Sequence, residues 1–194
     1  MKGRRYALFV LKGRINMYCY VLFVKTGYEH RVADEIFYNW QIKDVSVFVP
    51  MHDASFKKAG KVFLEKRLSM PSYVFIESPM RGQEFYLSAM HSILRSEHSI
   101  KLLKNGHGYD DLCFEMAADE YDILEKLINK DSCIEMSQGV IEGTRVVVTN
   151  GPLSGFEGLI KRINRHKMEA IINIGFMGTV REMKVGLEIV KKML

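Results

Sequence analysis

Short apolar runs alternate with polar segments along this 194-residue chain. In the first two thirds, Tyr18–Val24 is a continuous apolar run, and Val45–Val49 alternates and ends at Pro50. Both patterns are typical of strands, the first of a strand buried on both faces. The polar, lysine-rich segment 53–67 is predicted to form a hairpin, and 70–77 a further strand.

Three segments between these runs have apolar residues at helical spacing. The first follows Thr26 and Glu29, whose spacing is that of a capping box, and the others cover 83–93 and 117–130. Acidic residues occupy the first turn of the third helix, where the helix dipole favours them: Asp119, Glu120 and Asp122. Strands and helices in this order predict an α+β domain with an antiparallel sheet and flanking helices.

The last fifty-odd residues have a different pattern, with no helical period. Five short strand-like runs follow one another at turn spacing: 145–149, 159–164, 168–174, 179–183 and 187–190. This pattern predicts a small SH3-like five-stranded β-barrel. We therefore expect a leader at 1–16, an N-terminal domain at 17–128, a linker at 129–139 and the barrel at 140–194.

Charge divides along the same boundaries. Residues 1–16 carry five basic and no acidic side chains, residues 17–139 carry 14 basic and 18 acidic, and residues 140–194 carry 9 basic and 5 acidic. The net charge of +5 therefore conceals an acidic body and a basic C-terminal domain. A polyanionic partner is expected to prefer the C-terminal domain.

The basic leader has a six-residue apolar stretch from Tyr6 to Leu11 and no small-residue cleavage site. It is too short for a secretion signal, so the leader is either a basic tail or a segment ahead of a true start at Met17. No apolar run is long enough to span a membrane. Three scattered cysteines predict a reducing, cytoplasmic environment.

Catalytic chemistry has no signature in this sequence. The histidines lack metal-ligand spacing, the cysteines lack the context of a nucleophile, and there is neither a P-loop nor a GxGxxG motif. His52 and Asp53 are adjacent, but adjacency in sequence does not supply the geometry of a base and its orienting acid. We expect a protein that is not an enzyme and uses no cofactor or metal.

The segment Gly143–Ile163 contains a strand, a tight glycine-containing loop and a second strand with basic residues inside it. It resembles the KOW motif of RNA-associated proteins. Taken with the N-terminal half, nearly the whole chain from 17 to 194 resembles the NusG family of transcription elongation factors. The order and spacing of the following segments carry the resemblance: Thr26-Gly27-Tyr28-Glu29, Met70-Pro71-Ser72-Tyr73-Val74-Phe75-Ile76, Gly143-Thr144-Arg145-Val146, Gly151-Pro152, Gly155-Phe156 and Gly175-Phe176-Met177-Gly178.

Three positions depart from the family pattern. Cys19 stands where the family has tryptophan, Ser72 where it has glycine, and Thr179 where it has a loop arginine. These departures indicate a specialised paralogue, similar to the LoaP type of operon-specific antiterminator.

The resemblance implies partners for the N-terminal domain. It implies a seat on the clamp region of RNA polymerase, formed by apolar and aromatic residues: Tyr20, Tyr73, Ile100 and Leu102. It also implies contact with the non-template DNA strand at the entry to the first helix, through Lys25, His30 and Arg31.

A structured leader RNA is the partner expected for the barrel, because basic residues concentrate around a turn at 164–167. Lys161 and Arg162 are expected to point to opposite faces of their strand. The candidate RNA-binding residues are Asn150, Ser154, Lys161, Arg162, Arg165, His166, Lys167, Arg181 and Lys184. An apolar loop tip, Phe176 and Met177, is expected to meet a protein, in the family a termination factor or a ribosomal protein.

Two alternatives stay open at this point. The chain could be a general elongation factor whose barrel binds proteins, or a ribosome-associated KOW protein that makes no polymerase contact. We expect a monomer, and the sequence leaves open whether the barrel docks on the N-terminal domain.

Overall fold

The computed structural model describes residues 6–7, 17–39, 45–106 and 113–193. Residues 57, 58, 99 and 100 are among those whose side chains it does not describe. The predicted leader, apart from its two-residue strand, lies outside the described part of the chain. The strands before residue 136 are β1 (Tyr6–Ala7), β2 (Tyr18–Val24), β3 (Ser46–Phe48), β4 (Met51–Lys58), β5 (Lys61–Leu68), β6 (Tyr73–Ser78), β7 (Ser99–Leu102) and β8 (Cys133–Ile134).

A five-stranded antiparallel sheet forms the centre of the N-terminal domain, in the order β1-β3-β6-β2-β7. Among the described residues, three helices accompany it: α1 (Glu29–Asn39), α2 (Gly82–Arg95) and α3 (Ala118–Leu127). The predicted strands and helices are all present, with boundaries displaced by one to three residues. Strand β7 is additional, since its short apolar patch gave no strand pattern.

Strand β2 is covered on both faces, as its continuous apolar run predicts. Tyr20, Leu22 and Val24 pack under α1 and α2, in a cluster with Val32, Phe85 and other residues of those helices. The alternate residues, Cys19 and Val21, face the other way, toward α3 and the C-terminal half of the chain. The second face of this sheet is therefore buried inside the protein.

The predicted hairpin is present as β4 and β5, joined by a turn in which Ala59 and Gly60 both have positive φ. Strand β8 pairs in parallel with the base of this hairpin, Met51 opposite Cys133 and His52 opposite Ile134. The segment expected to be a free linker is thus fixed to the hairpin at its middle. The last three residues of this predicted linker, 137–139, belong to the first strand of the C-terminal domain, which begins at Ser137 rather than at 140.

Five strands form the C-terminal β domain: β9 (Ser137–Glu142), β10 (Arg145–Asn150), β11 (Ile160–Asn164), β12 (Glu169–Phe176) and β13 (Thr179–Met193). Their order is β10-β9-β13-β12-β11, with β13 and β9 parallel. The number five is as predicted, but the last two predicted runs are one long strand and the fifth strand is β9. Gly186, between those two predicted runs, lies within β13 at a point of close approach to β4.

One hydrophobic cluster extends across both domains. On the N-terminal side it contains residues of the sheet and of α3, and on the C-terminal side it contains the inward residues of β12 and β13. Members from the two sides include Val21, Phe75, Leu124, Leu127, Ile172, Ile174, Phe176, Met183 and Val185. The two domains are therefore docked through a shared core. Within the described residues, no helix is long and apolar enough to cross a membrane.

Candidate functional site

The basic residues around the β11–β12 turn surround a concavity in the protein surface with a volume of about 500 Å³. The turn is held by Asn164, whose Oδ1 accepts the Lys167 backbone N–H at 3.1 Å. Lys184 on β13 faces the same concavity, as does Ile171, the cross-strand partner of Arg162, whereas the side chain of Ile163 packs toward the core with Ala170. Its charged lining consists of Arg162, Arg165, His166, Glu169 and Lys184. A concave surface with several basic residues suits a phosphate-bearing ligand.

Lys161 and Arg162 do not point to opposite faces, contrary to the simple strand alternation. The register between β11 and β12 shifts between Ile160 and Arg162, so a β-bulge re-aims one of the two side chains. Both then reach Glu182, Lys161 at 2.7 Å and Arg162 at 3.7 Å. The hydrogen bond and charge of Lys161 lower the pKa of Glu182. These two cations therefore share one carboxylate.

The other candidate RNA-binding residues are exposed but do not line the concavity: Asn150, Ser154, Lys167 and Arg181. Asn150 and Ser154 flank the glycine loop. The structure thus divides the predicted set into a concave core and an outer group.

The loop tip predicted to meet a partner protein is buried within this chain. Phe176 and Met177 are only 2% and 6% exposed. The Phe176 ring packs against Tyr73 at 4.8 Å between centroids and against Phe75 at 6.1 Å. The apolar tip is satisfied by the N-terminal sheet, which is why it is tolerated in a tight loop.

Glu120 on α3 fastens the same loop. Its two carboxylate oxygens accept the backbone N–H groups of Met177 at 2.9 Å and Gly178 at 3.0 Å. Gly175 packs against the Glu120 stem so closely that a Cβ there would lie 2.9 Å from Cγ. Sequence reasoning assigned Glu120 only to the helix dipole; its pairing with a loop 57 residues away left no local signal.

A second docking contact joins the hairpin base to the C-terminal β domain. The Ser55 hydroxyl donates to the Lys167 carbonyl at 2.8 Å, and the Lys184 N–H donates to the Ser69 carbonyl at 3.2 Å. A Cβ on Gly186 would lie within 3.0 Å of the Asp53 carbonyl oxygen, so this approach requires glycine.

Two of the residues expected in the polymerase seat are interior residues. Tyr20 is 0% exposed; its ring stacks on Phe85, and its hydroxyl donates to the Met80 carbonyl and accepts the Gly82 N–H. Leu102 is buried in the same core. Their expected surface role is wrong, because β2 and β7 turn these side chains under the helices.

The other two residues expected in the polymerase seat are Ile100 and Tyr73. The side chain of Ile100 lies outside the described residues. Tyr73 is half-buried, with Phe23 on one side and Phe176 on the other. Of the three whose side chains the structure describes, Tyr73 is the one that removal of the C-terminal β domain would uncover.

The candidate DNA-binding residues lie together at the start of α1. Lys25 and Arg31 are exposed, and His30 is half-buried. The Lys25 ammonium lies 5.3 Å from the centre of the Tyr28 ring, and Arg31 pairs with Glu35 at 3.2 Å. Their common position is compatible with contacts to one phosphate backbone.

His52 is buried at the junction of the two domains. Burial lowers its pKa from 6.5 to about 4, with Lys184 and Arg67 acting in the same direction and Glu169 and Asp53 opposing them. Ser69 Oγ lies 3.3 Å from its Nδ1. The neutral ring is therefore the form that the docked protein contains.

This burial predicts a pH-dependent stability. Because the folded pKa of His52 lies below the unfolded value, its contribution is full above about pH 6.5 and is lost as the pH falls toward about 4. The loss should approach about 3 kcal/mol in the free energy of unfolding. Urea unfolding across this range should show the decline in the wild type and a smaller one in His52→Gln. Equal slopes for the two proteins would contradict a buried neutral His52.

Comparison with known proteins gives two family matches. Residues 17–124 match the family model described as "Transcription termination factor nusG", and residues 142–174 match the KOW motif. The chain is 24% identical over 161 residues to the transcription termination/antitermination protein NusG of Lactococcus lactis subsp. lactis (strain IL1403), covering 80% of this chain and 83% of that protein. It also aligns with a solved structure titled "Domain interaction in Thermotoga maritima NusG", over 91% of this chain and 96% of that chain, with a TM-score of 0.49 and 18% identity.

An α+β N-terminal domain joined to a β-rich KOW domain defines a class of transcription factors. Since the first match covers more than half of the 194 residues, this chain belongs to the NusG family of transcription elongation and termination factors.

Proposed function

We propose that this chain is a processive antiterminator that binds RNA polymerase through its N-terminal domain and a structured leader RNA through its C-terminal β domain. The observation that carries the RNA part is the concave surface lined by Arg162, Arg165, His166 and Lys184. The KOW motif at 142–174 supplies these residues apart from Lys184, which lies on β13. The departures at Cys19, Ser72 and Thr179 support a specialised, LoaP-like member acting in the cytoplasm as a monomer.

The chemistry of this surface fits a folded RNA better than a featureless polyanion. Arg162 and Arg165 can each make paired hydrogen bonds to a phosphate or to the edge of a guanine. Glu169 in the same lining disfavours indiscriminate phosphate binding, because a carboxylate repels the backbone unless a donor faces it.

For polymerase, the proposed contact is the face of the N-terminal sheet that includes Tyr73. Phe176 covers this face in the docked protein. Seating on the clamp region therefore requires the C-terminal β domain to leave. Once seated, Lys25, His30 and Arg31 lie on the exposed end of α1, where they can follow the non-template DNA strand.

Substituting Arg165→Ala together with Lys167→Ala is expected to weaken RNA binding by the full chain tenfold or more, since two exposed cations are removed from the turn. The probe is the tightest hairpin RNA selected by the wild-type chain from a library with a common stem and a randomised loop. Binding is measured by gel shift at several salt concentrations, and retention of RNA polymerase is measured in parallel.

The matched control is Lys130→Ala with Lys126→Ala, which removes two exposed cations at the end of α3. Equal loss in both double variants, or equal affinity of the wild type for the selected hairpin and a scrambled RNA, would argue against a specific RNA site. Loss of polymerase retention along with RNA binding would show that the substitutions damage the fold.

A general elongation factor using Phe176 and Met177 for a termination factor or a ribosomal protein is the second candidate. The observation that bears on it is the burial of both residues against the N-terminal domain. Such a partner could bind only the released domain. Selection of no hairpin RNA from the library would favour this candidate.

A further inference from the structure

The base of the N-terminal hairpin adjoins the basic concavity of the C-terminal β domain. Arg67 on β5 is the cross-strand partner of His52 on β4, so the two side chains share one face of the hairpin. Ser69, two residues beyond Arg67, accepts the backbone N–H of Lys184 at 3.2 Å. Lys184 is itself part of the concavity lining. Arg67 therefore lies two residues from a backbone hydrogen bond that joins the end of the hairpin to the strand of Lys184.

Arg67 and Lys184 act on the same buried imidazole, that of His52. They belong to different domains, and the positive charge of each favours the neutral form of His52. Both are also open to solvent; the Arg67 side chain is 53% exposed and Lys184 is exposed. Arg67 pairs with Glu65 on its own strand, an exposed ion pair of the kind that costs little to exchange for a phosphate.

We propose that leader RNA is bound by one surface continuous across the two docked domains, with Arg67 of the hairpin contacting the RNA backbone beside the concavity lined by Arg162, Arg165, His166 and Lys184. This inference rests on the proposed RNA-binding function and extends it to the N-terminal domain. The acidic composition of that domain does not oppose the contact, because Arg67 lies at its boundary with the basic one.

The geometry fits a backbone contact rather than base recognition. Arg67 projects from a paired strand and does not line the concavity, whereas Arg162, Arg165, His166 and Lys184 do. A hairpin RNA that places a loop base in the concavity extends its stem across the rim, where phosphates meet exposed cations. Arg67 then contributes affinity and salt dependence, and the concavity contributes selectivity.

A surface shared by two domains couples RNA binding to docking. RNA that contacts both domains binds the docked form more tightly than the separated one, and by the same factor it stabilises docking. Leader RNA would therefore hold the Tyr73 face covered until polymerase competes for it. This ordering makes RNA and polymerase alternatives in the free protein, with transfer from one to the other at the transcription complex.

The test compares two variants of the full chain that each remove one exposed cation from the same hairpin. Arg67→Ala removes the cation at the domain boundary, and Lys61→Ala removes one at the hairpin tip. With the selected hairpin RNA as probe, Arg67→Ala is expected to weaken binding by about three- to tenfold and to reduce the slope of log affinity against log salt by about one. Lys61→Ala should leave both unchanged.

Three results separate this inference from the proposed function. If Arg165→Ala weakens RNA binding and Arg67→Ala matches Lys61→Ala, the C-terminal domain binds RNA alone and the shared surface is refuted. If no hairpin RNA is selected by the wild type, the proposed function itself fails. If Arg67→Ala weakens binding only in a protein whose circular dichroism or melting temperature has changed, the effect is structural and Arg67→Lys, which keeps the charge, must restore affinity for the shared surface to stand.

Discussion

Phe176→Ala is expected to release the C-terminal β domain from the N-terminal sheet. The substitution empties the space between Tyr73 and Phe75 that a 2%-exposed ring fills, and a buried Phe→Ala change costs about 3–5 kcal/mol. Because the ring lies between two domains, the cost is borne by docking rather than by either core alone. Hydrogen exchange should become faster at the backbone N–H groups of Met177 and Gly178, and retention of RNA polymerase should increase.

The control for this variant is Val180→Ala, four residues along the same hairpin, where the side chain is 66% exposed. It should change neither exchange nor polymerase retention. If Phe176→Ala lowered the melting temperature while exchange at Met177 stayed slow, the loop would have collapsed around the cavity and docking would not depend on the ring.

Glu120→Ala should have the second-largest effect. It removes both acceptors of the Met177 and Gly178 N–H groups, and hydrogen bonds to a charged group are each worth about 1.5–3 kcal/mol. Since the loop N–H groups can bind water once the domains separate, we expect docking to weaken by about 2–4 kcal/mol in total. Donor and acceptor dyes on the two domains would report this as a fall in energy-transfer efficiency.

Asp119→Ala is the matched control, because it removes an exposed carboxylate from the same first turn of α3 without touching the loop. Glu120→Gln should fall between wild type and Glu120→Ala, since one acceptor oxygen remains. Equal changes in Asp119→Ala and Glu120→Ala would show that helix stability, not the loop contact, is being measured.

The fold could be predicted well where one element carries its own pattern. The continuous run at Tyr18–Val24 predicts burial on both faces, and the structure covers one face with α1 and α2 and the other with α3 and the C-terminal β domain. Gly186 shows the limit of this reasoning. A glycine inside an apolar run suggests a turn, but here it is the position where a strand of one domain touches a strand of the other.

The candidate sites were less predictable, because exposure depends on what lies across an interface. Tyr20 and Leu102 are residue types that are common at contact surfaces. In β2 and β7, however, their side chains point into the core of the N-terminal domain. Phe176 and Met177 lie at the tip of a tight loop, where side chains are usually exposed. Here the N-terminal domain covers both. The basic turn at Arg165–Lys167 could be anticipated, since charged side chains on a tight turn have nowhere to be buried.

The pairing of β8 with β4 sets how far the C-terminal β domain can travel. While Cys133 and Ile134 stay paired with Met51 and His52, only residues 135–136 connect the fixed strand to β9, a span of roughly 7 Å. Unpairing β8 frees residues 128–136, and the reach rises to roughly 30 Å. The connection between the domains therefore has two lengths. While β8 is paired, the short connection keeps the C-terminal β domain at a high local concentration beside the face on which it docks. A partner that competes for that face binds most favourably when it also separates β8 from β4.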